Sequence, residues 1–420
     1  MKKFAIAAGA LSLAVLLTGS AFAATDLSIW YHGAGNPDER KVLLGIISDF
    51  NTSQTDWNVK LEEFPQAAYN DSVTAAALAH KLPDILDMDG PNMPNWAWSG
   101  YIAPLDLPAG TLDNFLPGAI GKWHGTLYSV GLWDAAIALM TRKTILDEYG
   151  IRVPTLEKPW TGDEFNAALD KIKAAGKFQF PLDLGTAWTG EWYPYAFSPL
   201  LQSFGGDIVD RTTYKTAEGA LNGPAAVKFG DWWQHLFTDK LAPGTSQDPA
   251  DRDSGFLNGK YAMSWNGSWV GLKALDKFGA DTLFLPAPDF GKGPKIGAAS
   301  WQFGVSAEGQ HKDGATAFIK FALADKYLAQ FSDATGVIPA TPSAAALTKN
   351  YKAGGPMAAF FDLSKGQALV RPVTPGYVVD AKVFEKALSD IANGAKVADT
   401  LDAATDEINA DIEKNKGYGF

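Results

Sequence analysis

The chain has 420 residues, no cysteine and a formal net charge of −11, with the acidic excess spread along its length and no basic run. This excludes a disulfide framework, cysteine-ligated zinc and a thiol nucleophile, and argues against nucleic acid or an anionic membrane as partner. A chain of this length buries a large core and suits two domains better than one.

Residues 1–23 come first. Lys2 and Lys3 precede an almost wholly apolar run from Phe4 to Leu17, and small residues follow, ending in Ala21-Phe22-Ala23. This is the charged, apolar and cleavage-site pattern of an export signal, and its apolar part is too short to span a bilayer. Ser20 stands where an exported lipoprotein would carry its cysteine. The expected product is a soluble, non-lipidated periplasmic protein that begins after Ala23.

Beyond the signal, strand-like and helix-like stretches alternate, which predicts an α/β fold. Leu27–Tyr31 alternates as a strand and ends in His32-Gly33-Ala34-Gly35-Asn36. From Asp38 to Phe50 the apolar residues Val42, Leu43, Ile46, Ile47 and Phe50 recur at helical spacing, with Pro37 at the helix start. A strand is expected at Val59–Phe64, an alanine-rich helix at Asp71–His80 and a buried strand at Pro83–Met88. A loop or short helix follows Asp89, with Trp96 and Trp98 in it. Further strands are expected at Leu127–Val130, Ile137–Met140, Ala262–Trp265 and Leu283–Leu285. Helices are expected at Asp163–Ala175, Ala225–Thr238, Gly314–Leu323, Ala381–Ala392 and Val397–Glu413. No Gly/Pro/Ser linker splits the chain into halves, so two lobes would require the chain to cross between them more than once.

The tests for chemistry mostly return negatives. Gly33-Ala34-Gly35 lies between a strand and a helix, but the third glycine of a dinucleotide fingerprint is replaced by Asp38, whose charge would repel a pyrophosphate. There is no phosphate loop and no G-x-S-x-G nucleophile elbow. The five histidines lie far apart, without metal-ligand spacing. Asp87-Met88-Asp89 lacks the spaced acidic ladder of an EF-hand. Glycoside hydrolysis needs only two carboxylates at a set separation, and Asp87, Asp89, Asp134, Glu191 and Asp289 leave it open. The 14 Trp, 13 Tyr and 24 Phe lean toward sugar recognition, because an indole face matches the apolar C–H face of a pyranose.

Six blocks, in order, then line up with a known family. They are Leu82–Asp89 with Ser99–Asp106, Gly121–Val130 with Ala138–Ile151, Pro159–Phe165, Phe256–Trp269, Ala315–Leu323 with Gly336–Pro342, and Arg371-Pro-Val-Thr-Pro-Gly-Tyr377. In these the chain resembles the extracellular solute-binding proteins of bacterial ABC importers, in the carbohydrate-binding group that includes maltose-binding protein. Gly131, Thr141 and Thr341 depart from the family pattern and bear on the ligand more than on the fold.

The resemblance implies a periplasmic-binding-protein-like fold, two α/β lobes joined by hinge strands around a ligand cleft. The implied N-terminal lobe is 24–135 with 287–338, and the C-terminal lobe 136–286 with 339–420. The implied function is capture of a carbohydrate by a monomer and its delivery to an inner-membrane ABC permease, without cofactor, metal or catalysis; an exported glycoside hydrolase is the alternative. Carried over by position, the ligand-binding residues are His32, Gly33 and Asn36 in the first loop, Asp89, Asp134, Trp269, Trp301, Gln302 and Arg371. Trp188 and Trp192 of the aromatic-rich segment join them. His32 is open between ligand contact and a backbone bond, Trp265 between core and cleft, and Trp232 and Trp233 are expected in the core. Arg371 in the cleft would favour an anionic sugar.

Overall fold

The computed structural model describes residues 24–420 apart from 34–36, 246, 252 and 300. The export signal at 1–23 and the ligand candidate Asn36 lie outside the described residues. Six strands come first, β1 (Thr25–Tyr31), β2 (Trp57–Glu63), β3 (Ile85–Asp89), β4 (Ile102–Ala103), β5 (Ile120–Trp123) and β6 (Thr126–Gly131), and all belong to one sheet. The chain then enters a second sheet through β7 (Trp133–Arg142), β8 (Phe180–Asp183), β9 (Tyr261–Gly267), β10 (Thr282–Leu285) and β11 (Ile296–Ala299). β12 (Trp301–Ser306) returns to the first sheet between β3 and β6, and β13 (Ile338–Pro339) and β14 (Ala368–Leu369) rejoin the second. The passages between sheets thus fall at 131–133, 299–301 and 336–338. Residues 296–299, expected with the first lobe, pair with β7 and β14 and so go with the second sheet.

In the first sheet β1 runs parallel to β2 and β3, while β12 is antiparallel to β3, with Trp301 opposite Asp89. The helix Pro37–Ser53 makes the crossover from β1 to β2. It starts with Pro37, Asp38 and Glu39 in the first turn and buries Leu43, Ile46, Ile47 and Phe50. The proline supplies a preset φ, and the two acids complement the helix dipole. That apolar stripe packs on Leu27, Ile29, Phe318 and Phe331 in the first core.

The second core is larger. Nine of the ten β7 residues are buried, as expected of a central strand covered on both faces. Helices Trp192–Phe204, Pro224–Thr238, Tyr377–Ala392 and Val397–Lys414 pack on one another beside the sheet. Trp233 is fully buried and its Nε1 donates to the Leu388 carbonyl at 2.9 Å, while Trp265 donates to Ala196 at 3.0 Å. Trp232, Trp233 and Trp265 are therefore core residues. Thr161 and Glu164 form a reciprocal capping box at the start of Gly162–Ala175. The central strand β12 and the helices Asp325–Thr335 and Ala358–Gln367 were not expected from the sequence pattern.

Candidate functional site

The parallel strands β1 and β3 end at Tyr31 and Asp89, and the antiparallel β12 begins opposite Asp89, so His32, Asp89 and Trp301 meet at one sheet end. In α/β sheets the crevice outside the carboxyl ends of the strands is where ligands sit. The second sheet presents the same end toward the crevice. There β9 stops at Gly267, and Trp269 lies in the first turn of the helix Ser268–Phe278. Gly267 is required for this: a Cβ at that position would strike the Trp269 ring.

An ion-pair relay joins the two faces. Arg371, on the segment after β14, donates from Nη2 to Asp89 Oδ1 at 3.0 Å and from Nη1 to Asp89 Oδ2 at 3.3 Å. Its Nη1 also donates to Glu191 Oε2, and the Tyr377 hydroxyl donates to the same carboxylate oxygen at 2.6 Å. Asp89 belongs to the first sheet, whereas Glu191 immediately precedes the second-lobe helix Trp192–Phe204. Burial works against the Arg371 charge, but Asp89, Tyr377 and Glu191 outweigh it and hold the guanidinium protonated. The planar fork suits this bidentate pairing, and lysine would not reproduce it. Arg371 Nε is buried without a hydrogen-bond partner among the described residues.

The guanidinium carbon lies 5.3 Å from the Tyr195 ring centre. From Tyr195 an aromatic wall continues through Trp269, at 6.2 Å, to Trp188, which stacks on Trp269 at 5.8 Å and 18°. Trp192 closes the wall from behind, 4.7 Å from Trp188. Trp269 packs against the apolar cores of both lobes, and its buried Nε1 has no partner among the described residues. On the opposite face the half-buried Trp301 stacks on His32 at 3.5 Å and 11°, with Tyr69 edge-on at 5.8 Å. A cavity of about 120 Å³ adjoins the relay, lined from both lobes by residues that include Gly90, Gly118, Ala298, Gln302, Val370 and Arg371.

Of the expected residues, the structure gathers Asp89, Arg371, Trp188, Trp269 and Trp301 around the crevice. His32, Gly33, Asp134 and Trp192 stand behind it, and Gln302 reaches the cavity with one edge. His32 is 5% exposed and its Nδ1 bonds Asp87, whose carboxyl burial pushes up while His32 pulls it down. Gly33 bridges to Pro65, and a Cβ there would collide with the Tyr31 ring, so packing over that ring by itself demands the glycine. Asp134 is fully buried and accepts from Ser364 Oγ at 2.8 Å and from the Ala135 amide at 2.9 Å. Gln302 accepts from Ser129 Oγ at 2.6 Å and donates to the Gly118 carbonyl at 3.0 Å, with one edge on the cavity. Trp192 is buried and donates to the Leu184 carbonyl at 3.0 Å.

Tyr195 and Tyr377 were not among the expected ligand-binding residues, and Glu191 was weighed only as a hydrolytic carboxylate. The signal was present for two of them. Glu191 and Tyr195 are one helical turn apart beside Trp192, which places them on a common face. Tyr377 closes the Arg371-Pro block but starts a helix, and only the tertiary contact makes it a donor to Glu191. Among the described residues no group of His, Cys, Asp or Glu could hold a metal ion, and no helix is long and apolar enough to cross a membrane.

Comparison with known proteins defines the class. Residues 45–359 match the family described as bacterial extracellular solute-binding protein, and the chain belongs to that family. It is accordingly a binding protein and not an enzyme, and the hydrolase alternative has no support. The diacetylchitobiose binding protein DasA of Streptomyces coelicolor is 24% identical over 409 residues, covering 92% of this chain and 90% of that one. The multiple sugar-binding protein of Streptococcus mutans is 26% identical over 310 residues, covering 69% and 70%. Among solved structures, the cyclic alpha-maltosyl-1,6-maltose binding protein of Arthrobacter globiformis superposes with a TM-score of 0.77 at 23% identity, covering 93% of this chain and all of that one. That likeness establishes the two-lobed α/β binding-protein fold.

Proposed function

We propose that this protein captures a carbohydrate in the crevice between its two lobes and hands it to the permease of an ABC importer. The observation that carries the reading is Trp269, a half-buried indole seated on both cores and flanked by Trp188 and Tyr195, with the Asp89–Arg371–Glu191 relay beside it. Indole faces supply apolar contact to sugar rings, while charged and amide groups take the rim hydroxyls in directed hydrogen bonds. Relatives are named for diacetylchitobiose, for multiple sugars and for mannitol, all polyhydroxylated compounds.

In this reading the lobes are 24–131 with 301–335 and 133–299 with 338–420, and the three passages between sheets act as the hinge. Ligand stabilises the closed arrangement in proportion to its extra affinity for that arrangement. The protein acts as a monomer, exported by residues 1–23 into the periplasm. One relative, 24% identical, is named a lipoprotein, but here Ser20 occupies the position a lipidated cysteine would need. A thermal-shift screen across mono- and oligosaccharides, hexitols, amino acids and short peptides tests the proposal. A true ligand at a hundred times its Kd adds about 2.7 kcal/mol of stability and raises Tm by several degrees, without being consumed. A rise confined to amino acids or peptides would overturn it.

A further inference from the structure

The relay at Arg371 carries a consequence for ligand charge that reverses the expectation drawn from the sequence. An arginine in a sugar crevice invites a carboxylate or phosphate when its donors are free. Here three of the five N–H donors go to carboxylates of the protein, Nη1 to both Asp89 and Glu191 and Nη2 to Asp89, which leaves one Nη2 hydrogen and the Nε–H. With one guanidinium against two carboxylates, the group presents a net negative charge to the crevice. Glu191 is also its accessible member, with about a third of its side chain exposed (35%) against 4% for Arg371 and 11% for Asp89. Lys122 lies on the rim of the adjoining cavity but is exposed, where water and salt screen it. Arg211, which donates from Nη1 to the carbonyl of the cavity-lining Val370, is itself paired with Asp207. The donors left over are single hydrogens, one on Arg371 Nη2 and, without a partner among the described residues, Arg371 Nε–H and Trp269 Nε1–H.

We infer that the Asp89–Arg371–Glu191 relay is a charge filter, with Glu191 as its specificity-determining residue, so that the crevice accepts a neutral or amine-bearing polyhydroxylated ligand and rejects uronates and sugar phosphates. This rests on the carbohydrate reading above. An anion beside Glu191 meets a like charge in a partly dehydrated space, where repulsion exceeds its value in water severalfold. To displace Glu191 from Arg371 it would have to leave that half-buried carboxylate with Tyr377 as its remaining donor among the described residues. A hydroxyl group takes the Nε–H or accepts from Trp269 at no such cost.

Titration calorimetry of the whole exported protein with matched hexose, hexosamine and hexuronate in the gluco, galacto and manno series, and with their disaccharides and hexitols, tests this. In each series that binds, the neutral or amino compound is expected to bind at least tenfold more tightly than the uronate. Glu191→Gln should narrow that ratio at least threefold, and Tyr377→Phe, which removes a donor without changing charge, should leave it unmoved. A uronate that binds as tightly as its neutral partner overturns the charge filter, as does a ratio unchanged in Glu191→Gln. Should that variant fail to fold, the ratio in the unmodified protein and its shrinkage with rising salt decide the matter. Silence across every neutral, amino and acidic saccharide overturns the carbohydrate reading itself.

Discussion

The two faces of the crevice use the same residue types and hold them in different ways. On the first-lobe face, Trp301 lies flat on His32, His32 is tied to Asp87, and Gln302 is tied to Ser129 and Gly118. His32 and Gln302 thus have protein partners, and the Trp301 plane is set by the register of β12 against β3. On the second-lobe face, Trp188, Trp269 and Tyr195 hang from helix starts and from the segment before one, and Trp269 Nε1 is left without a partner. On the first face the ring rests on a partnered histidine, and the second has a donor, unmet among the described residues, that a ligand hydroxyl would satisfy. Buried donors without partners cost free energy comparable to a lost hydrogen bond, so ligand binding gains more at the second face.

That contrast can be broken most directly at its two tryptophans. Trp269→Ala should cost on the order of 2–4 kcal/mol of binding, a loss of about 30-fold to 1,000-fold, with only a small fall in Tm. Trp301→Ala should weaken binding less and destabilise the fold more, because it also uncovers His32 and Tyr69. Calorimetry and thermal melts of the two variants side by side would erase the distinction if the larger binding loss fell on Trp301.

A second test acts on the support of the Trp wall. Asp183, at the end of β8, is buried and accepts from the Gly185 amide at 2.9 Å and from Gln247 Nε2 at 2.8 Å, both on Oδ1. These bonds hold the turn whose Leu184 carbonyl receives Trp192. Burial pushes the Asp183 carboxyl up to about 6 from its ordinary 3.8. The unfolded chain therefore releases this proton from about pH 4 upward while the folded chain keeps it to about pH 6. The stability conferred by the protonated form is complete below about pH 4 and is lost as pH rises through 6. Asp183→Asn keeps the Oδ1 acceptor and removes the charge. It should raise stability at pH 8 by up to about 3 kcal/mol and leave it nearly unchanged at pH 4. Melting curves from pH 4 to 8 that run parallel for the two proteins would contradict this.

The smallest effect is expected at Tyr195. Its buried hydroxyl donates to the Ala135 carbonyl at 3.0 Å, tying the wall to β7. Tyr195→Phe should cost about 1 kcal/mol of stability and less than threefold in binding, since the ring stays in place. A tenfold binding loss in calorimetry would show that the hydroxyl itself meets the ligand.

Much of the fold was legible in residue order. The alternation at Leu27–Tyr31 and the helical stripe of Leu43, Ile46, Ile47 and Phe50 are local signals, and each element formed where they stand. β12 was not legible, because Trp301–Ser306 mixes buried polar and apolar residues and gains its strand character by insertion between β3 and β6. Site residues divided along the same line. Trp269 and Arg371 were marked by motif blocks, but His32, Asp134 and Gln302 proved to be partnered inside the walls. A polar residue near a strand end reads alike whether its partner is protein or ligand.

By itself the sequence determined the α/β class, the family and the richness in aromatic residues, because these follow from composition, short-range periodicity and contiguous motifs. Only the tertiary structure decided which acids share Arg371, which sheet takes residues 296–299 and that Trp269 Nε1 has no partner among the described residues. Each of those depends on groups far apart in the chain meeting at a few ångströms, as Asp89, Glu191 and Arg371 do, and no local spacing encodes such a meeting.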